Sequence, residues 1–129
     1  MARKYLDDIG VTNRPDLWNE EDKRQEKWTE ERNTYGFDER ETWALDFTFY
    51  CWLYERLKMY LDVNIIDLTF HKFEYEDETL TQEECINRMI KGCEVYFEED
   101  GRWPISEENQ KAMDDVAKIW AVVLPAMWW

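Results

Sequence analysis

Residues 38–62, DERETWALDFTFYCWLYERLKMYLD, constrain the fold more than any other stretch. Trp43, Phe47, Tyr50, Tyr54, Leu57 and Leu61 recur at three/four spacing on one stripe. Leu45, Phe49, Trp52, Leu53 and Met59 cover the remaining sides. A helix that is apolar nearly all round belongs in the centre of a domain. The same pattern places Asp46 where a carboxylate must be paired, hydrogen-bonded or metal-bound. Thr42 one turn earlier, Arg56 or Arg88 would satisfy it as protein partners, and a metal ion is the alternative.

A chain of 129 residues carrying eight Trp, seven Tyr and six Phe can bury a real core, and is too short for two ordinary domains. Residues 1–36 read as an appendage, partly helical or flexible, and 37–129 as one helical domain. No run of eighteen apolar residues occurs, and the start MARKYLDDIG lacks the apolar stretch of a signal peptide, so a soluble intracellular protein is expected. The three cysteines, Cys51, Cys85 and Cys93, sit in apolar helical patterns and read as reduced, buried thiols.

The fold class that follows is mainly α, a small helical domain around one central buried helix with a short β-hairpin. Asp16–Arg32 has helix-forming composition but only Leu17, Trp18 and Trp28 as apolar points. Asp38 with Glu41 resembles a capping box that starts the long helix. Between Val63 and Leu80 the period changes: Phe73 and Tyr75 alternate with Glu74 and Glu76, which predicts a hairpin turning near Glu76 and Asp77. Thr81 with Glu84 forms a second capping box before the stripe Cys85, Ile86, Met89, Ile90, Cys93 and Phe97. Ser106 caps a last helix with stripe Met113, Val116, Ala117, Trp120, Leu124 and Met127, which Pro125 ends near Leu124. Trp128 and Trp129 are expected to pack back onto the core, the alternative being an exposed anchor for a partner.

Charge narrows the function. The net charge is −14, and residues 74–100 hold ten acids against Arg88 and Lys91 alone. Such a surface disfavours nucleic acid and anionic membranes, and attracts basic proteins in a salt-dependent way. As a solvated face it keeps the chain soluble and monomeric. Glu74, Glu76, Asp77, Glu78, Glu98, Glu99 and Asp100 flank predicted turns and helix ends, too many to be paired internally, and are the candidate partner-binding residues. No nucleophile elbow, phosphate loop or Cys/His constellation is present, so no enzymatic chemistry is expected. A metal site, with zinc the leading ion, would draw on His71, Asp46, Glu41 and Glu84. No Glu-x-x-His occurs to support it, and Cys85 and Cys93 stand eight apart.

The runs Asp38–Asp46 (DERETWALD), Leu53–Tyr60, His71–Tyr75 and Thr81–Ile90 resemble a family of small acidic proteins carried by phages and prophages of Gram-positive bacteria. The resemblance covers residues 38–98, the tryptophan-rich end loosely, and not the first 36. It implies action in the cytoplasm of a bacterial host. Small phage proteins of this kind include inhibitors of host defence, anti-CRISPR proteins among them. The function expected from it is an inhibitor of a Cas9-like CRISPR effector nuclease, blocking nucleic-acid loading through its acidic surface as a nucleic-acid mimic. The alternative is an accessory or structural phage protein with a metal-stabilised fold and no inhibitory activity.

Overall fold

The computed structural model describes residues 24–99 and 103–128. Helices α1 (Arg24–Tyr35), α2 (Leu45–Val63), α3 (Gln82–Glu99) and α4 (Glu107–Val123) account for most of them. Strands β1 (Lys72–Tyr75) and β2 (Glu78–Thr81) make an antiparallel hairpin, and short 3-10 turns cover Glu39–Thr42 and Leu124–Ala126. The mainly α class with one small hairpin is therefore as expected. Contacts divide the chain into two compact units, residues 1–53 and 54–129. Leu17, Trp18, Asp100 and Trp129 lie outside the described residues.

In the first unit, α1 buries a single residue, Trp28. Its indole donates from Nε1 to Glu39 Oε1 at 3.0 Å, meets Trp43 edge-on at 5.9 Å, and lies under the Arg40 guanidinium at 4.4 Å. Arg40 grips Asp38 through Nε–Oδ1 at 2.9 Å and Nη2–Oδ2 at 2.6 Å, and Arg32 adds a contact at 2.8 Å. Two arginines thus neutralise a fully buried carboxylate, which a solvent-shielded charge requires. Burial pushes the Asp38 carboxyl up, but the hydrogen bonds from the Arg40 side chain and backbone and from Arg32 outweigh it and leave the pKa lowered.

This network corrects the predicted start of the long helix. Asp38 does act as an N-cap, accepting from the Arg40 amide at 3.0 Å, but what it caps is the 3-10 turn Glu39–Thr42. The chain then turns at Trp43–Ala44 before α2 begins at Leu45. Hydroxyls take up carbonyls of the turn: Thr42 donates to the Glu39 carbonyl and Thr48 to that of Glu41, both at 2.7 Å. Nor is α2 enclosed on all sides. Phe47, Cys51, Leu53 and Leu57 are buried, whereas Leu45 and Met59 are each 65% exposed. Asp46 is exposed in the first turn of the helix, where a carboxylate suits the positive end of the helix dipole. The apolar pattern therefore does not enclose this carboxylate.

In the second unit, α3 and α4 form the core pair. Cys85, Ile86, Met89 and Cys93 face inward from α3, and Met113, Val116, Ile119 and Val123 from α4. The predicted α4 stripe is therefore turned: Ala117 and Leu124 are exposed, and Ile119 and Val123 take their places. Both rows obey three/four spacing, and the contact at Gly92 selects between them. A Cβ on Gly92 would collide with Val116 Cγ2 and the Ala112 carbonyl oxygen, so glycine sets how closely the helices approach. The Thr81/Glu84 box forms in both directions, with Glu84 N–H donating to Thr81 Oγ1 at 3.1 Å and Thr81 N–H to Glu84 Oε1 at 3.0 Å. Ser106 caps α4 by accepting from the Asn109 amide at 3.2 Å. Buried Gln82 ties three segments together, donating to Tyr60 Oη and to the Ala126 carbonyl, each at 3.3 Å. All three cysteines are free and buried, and burial raises the Cys85 thiol pKa. Trp128, in contrast, is 75% exposed and does not return to the core.

Gly92→Ala is expected to destabilise the fold by about 1–3 kcal/mol through overpacking, despite alanine's better helix propensity. Urea denaturation with an unchanged slope and an earlier midpoint is the readout. In the first unit, Asp38 stabilises the fold above its unfolded pKa of 3.8, and this contribution is lost as pH falls below it. The Trp28 indole N–H resonance should therefore shift as the pH is taken below 3.8, before amide protection in α3 and α4 is lost.

Candidate functional site

The acidic run maps onto the hairpin and onto the two ends of α3. Pairing Phe73 with Leu80 and Tyr75 with Glu78 puts these four side chains on one face of the hairpin, with Glu74 and Thr79 on the other. The turn is made by Glu76 and Asp77, and Glu76 adopts φ 53°, a left-handed conformation that non-glycine residues rarely take. Its carboxylate explains the tolerance: Lys111 of α4 holds it at 3.1 Å.

Lys111 is the hub of a network absent from the sequence reading. Besides Glu76 it donates to Asp115 Oδ1 at 3.0 Å, one turn along α4, and sits 5.8 Å from the centroid of the Tyr75 ring. Tyr75 Oη donates to the same Asp115 oxygen in a short hydrogen bond. Both Tyr75 and Asp115 are buried. Burial first, and the Asp115 carboxylate second, push the Tyr75 phenol far above its ordinary range. Hydrogen bonds to Asp115 and then Glu76 raise the Lys111 pKa. At neutral pH the network is therefore a neutral phenol and an ammonium shared between two carboxylates. The Tyr75 and Lys111 protons are held tightly, and the network locks the hairpin onto α4. The available cue was Asp115 beside the apolar residues Met113 and Val116, with Lys111 four residues before it.

The candidate partner-binding residues separate accordingly. Glu76 is bound by Lys111, Glu78 by Arg88 at 2.8 Å, and Glu99 accepts from Asn109 Nδ2 at 2.9 Å. Glu74 accepts only a cross-strand hydroxyl, from Thr79 at 2.9 Å. Asp77 and Glu98 are exposed and make no hydrogen bond or ion pair among the described residues. Glu94, not singled out from sequence, is exposed on the same helix as Glu98 and accepts from Tyr54 Oη at 3.1 Å. The side chains open to a partner are thus Glu74, Asp77, Glu94 and Glu98, while Glu76, Glu78 and Glu99 serve the fold.

The metal candidates are not brought together. Among the described residues no three His, Cys, Asp or Glu side chains are grouped to hold an ion. Glu84 is exposed and spends its carboxylate on the Thr81 cap, whose hydrogen bonds lower its pKa. His71 is exposed, with its ring 5.6 Å from Phe70 and 6.4 Å from Phe73. Glu41 is buried in the 3-10 turn and Asp46 is exposed in the first turn of the following helix. No helix among the described residues is long and apolar enough to cross a membrane. No protein-family model matches the chain, and comparison with curated proteins and with solved structures finds no match.

Folding raises the pKa of both Tyr75 and Lys111, so the folded chain keeps protons that the unfolded chain gives up above about pH 10. Stability is intact below that pH and falls as pH rises beyond it. Tyr75→Phe should cost about 1 kcal/mol at neutral pH by leaving Asp115 short of a donor. Thermal melts from pH 8 to 11 should show a shallower alkaline loss in this variant than in wild type.

Proposed function

We propose that this chain is a binding protein, not an enzyme, that docks on the basic nucleic-acid channel of a host defence nuclease and prevents loading of its guide or target. The observation that carries this reading is the hairpin itself. It presents Glu74 from its first strand and Asp77 from its turn on a base clamped by the Tyr75–Asp115–Lys111 network, so the negative edge is rigid before any partner arrives. A preorganised acidic edge loses little conformational freedom on binding. It also matches the Lys and Arg lining that such nucleases use to attract phosphates.

A second feature supports it. Glu98 and Glu99 stand in the last turn of α3, which has no basic residue, and Glu94 lies one turn before them. Carboxylates there oppose the helix dipole and one another. Glu94 and Glu99 gain one hydrogen bond each from Tyr54 and Asn109, and Glu98 has no partner among the described residues, as expected of a charge placed for recognition. A phage-borne anti-CRISPR protein acting on a Cas9-like effector in the bacterial cytoplasm is the specific form of the reading, resting on the resemblance of residues 38–98.

The test is DNA cleavage by candidate effectors at low and high salt, with the charge-reversed variants Glu74→Lys/Asp77→Lys and Glu94→Lys/Glu98→Lys. Each pair should weaken inhibition about tenfold at low salt and less at high salt. The helix-end pair should meanwhile raise the melting temperature. Undiminished inhibition by both pairs, or no inhibition of any effector, would remove the proposal.

A further inference from the structure

The loop after α2 departs from what a folded chain normally does with apolar side chains. Ile65 is 81% and Phe70 78% exposed, and Met59, Val63 and Ile66 are exposed as well. Large apolar residues gathered in one short stretch mark a contact surface. The loop is not loose: Asp67 forms an Asx turn, accepting from the Thr69 amide at 2.9 Å and hydroxyl at 2.6 Å, and Phe70 N–H closes onto the Asp67 carbonyl at 3.3 Å. Its other side is tied to α3 by Glu83 N–H donating to the Leu68 carbonyl at 3.0 Å.

Folded this way, the loop frames a pocket of about 350 Å³. Leu61, Ile66 and Leu68 supply apolar walls, and Asp67, Glu83 and Asn87 supply acceptors. No lysine or arginine lines it, unlike the open groove beside Glu76 and Trp103, which contains Lys111 and Lys118. The Glu83 carboxylate and the Asn87 amide make no side-chain hydrogen bond among the described residues. The pocket also lies at the C-terminal end of α2, whose last turn has no basic residue and whose dipole favours a cation.

We infer that this pocket and the exposed apolar residues of the same loop form a second docking surface, which takes an arginine side chain of a basic protein partner, with apolar neighbours of that arginine resting on Ile65 and Phe70. A guanidinium combines a flat apolar face with a fork of donors suited to carboxylates, and a charged anchor ringed by apolar contacts is the arrangement of a binding hot spot. A second copy docked two-fold through this face would set the exposed Asp62, Asp67 and Glu83 against the same acidic patch. An anionic membrane would meet the same repulsion. A basic protein surface is the occupant that these charges admit. This inference rests on the reading of the chain as a binder of a basic protein, and not on that protein being a nuclease.

The test is titration of the full-length protein with the blocked tripeptide acetyl-Leu-Arg-Phe-amide, followed by amide NMR. Saturable shifts are expected at Asn64–Phe70, Glu83 and Asn87. Affinity should fall about tenfold for Glu83→Gln, the loss expected for one charge-assisted hydrogen bond. It should also fall for Ile65→Ser/Phe70→Ser and for a peptide with norleucine in place of arginine. No shift at those amides, shifts equally large across the hairpin, or wild-type affinity in Glu83→Gln would overturn the inference. Saturable binding at the pocket without inhibition of any nuclease would uphold the pocket and overturn the nuclease reading. Nuclease inhibition with a silent pocket would do the reverse.

Discussion

The close approach of α3 and α4 at Gly92 is the contact on which the second unit depends. With no side chain at that position, Val116 and the Ala112 carbonyl come down onto the α3 backbone. The rotation this imposes on α4 turns Ile119 and Val123 inward and places Asp115, next to Val116, within reach of Tyr75. A glycine inside a helix costs about 1 kcal/mol relative to alanine. Here that loss is offset by the apolar area the two helices bury against each other.

From that rotation the hairpin's position follows. Asp115 would be an unpaid buried charge without Tyr75 Oη and Lys111 Nζ, and Lys111 in turn reaches Glu76 at the turn. One short chain of hydrogen bonds therefore runs from the helix core to the hairpin tip. It also explains why a non-glycine residue can hold a left-handed conformation there: the Glu76 side chain has a partner that a glycine would forgo. The acidic run serves two purposes as a result. Glu76 and Glu78 anchor the hairpin, and Glu74 and Asp77 are presented by it.

The first unit solves a different problem with similar means. Around the one buried residue of α1, Trp28, it places a carboxylate and guanidinium groups against the ring. Aromatic area and cation–π contact hold α1 to the turn that follows it. Such a centre depends on ionisation, as the lowered pKa of Asp38 shows.

Local rules sufficed for the helices α3 and α4, their caps at Thr81/Glu84 and Ser106, the hairpin with its turn at Glu76–Asp77, the end near Leu124, and the three buried thiols. Each depends on residues within a few positions of one another, and spacing and capping chemistry report such contacts directly. Tertiary structure alone decided the rest. Which α4 stripe faces inward depended on a glycine on another helix, and Asp115 found Tyr75 forty residues away. Asp46 was left exposed because the helix begins at Leu45, after a turn organised by Asp38, Arg40 and Arg32. Trp128 stayed in solvent, and the apolar loop at Ile65–Phe70 stayed uncovered. Periodicity states which side chains would gain from burial. Whether a surface exists to bury them is settled by where distant segments pack, and that information lies in pairs of residues far apart in the chain.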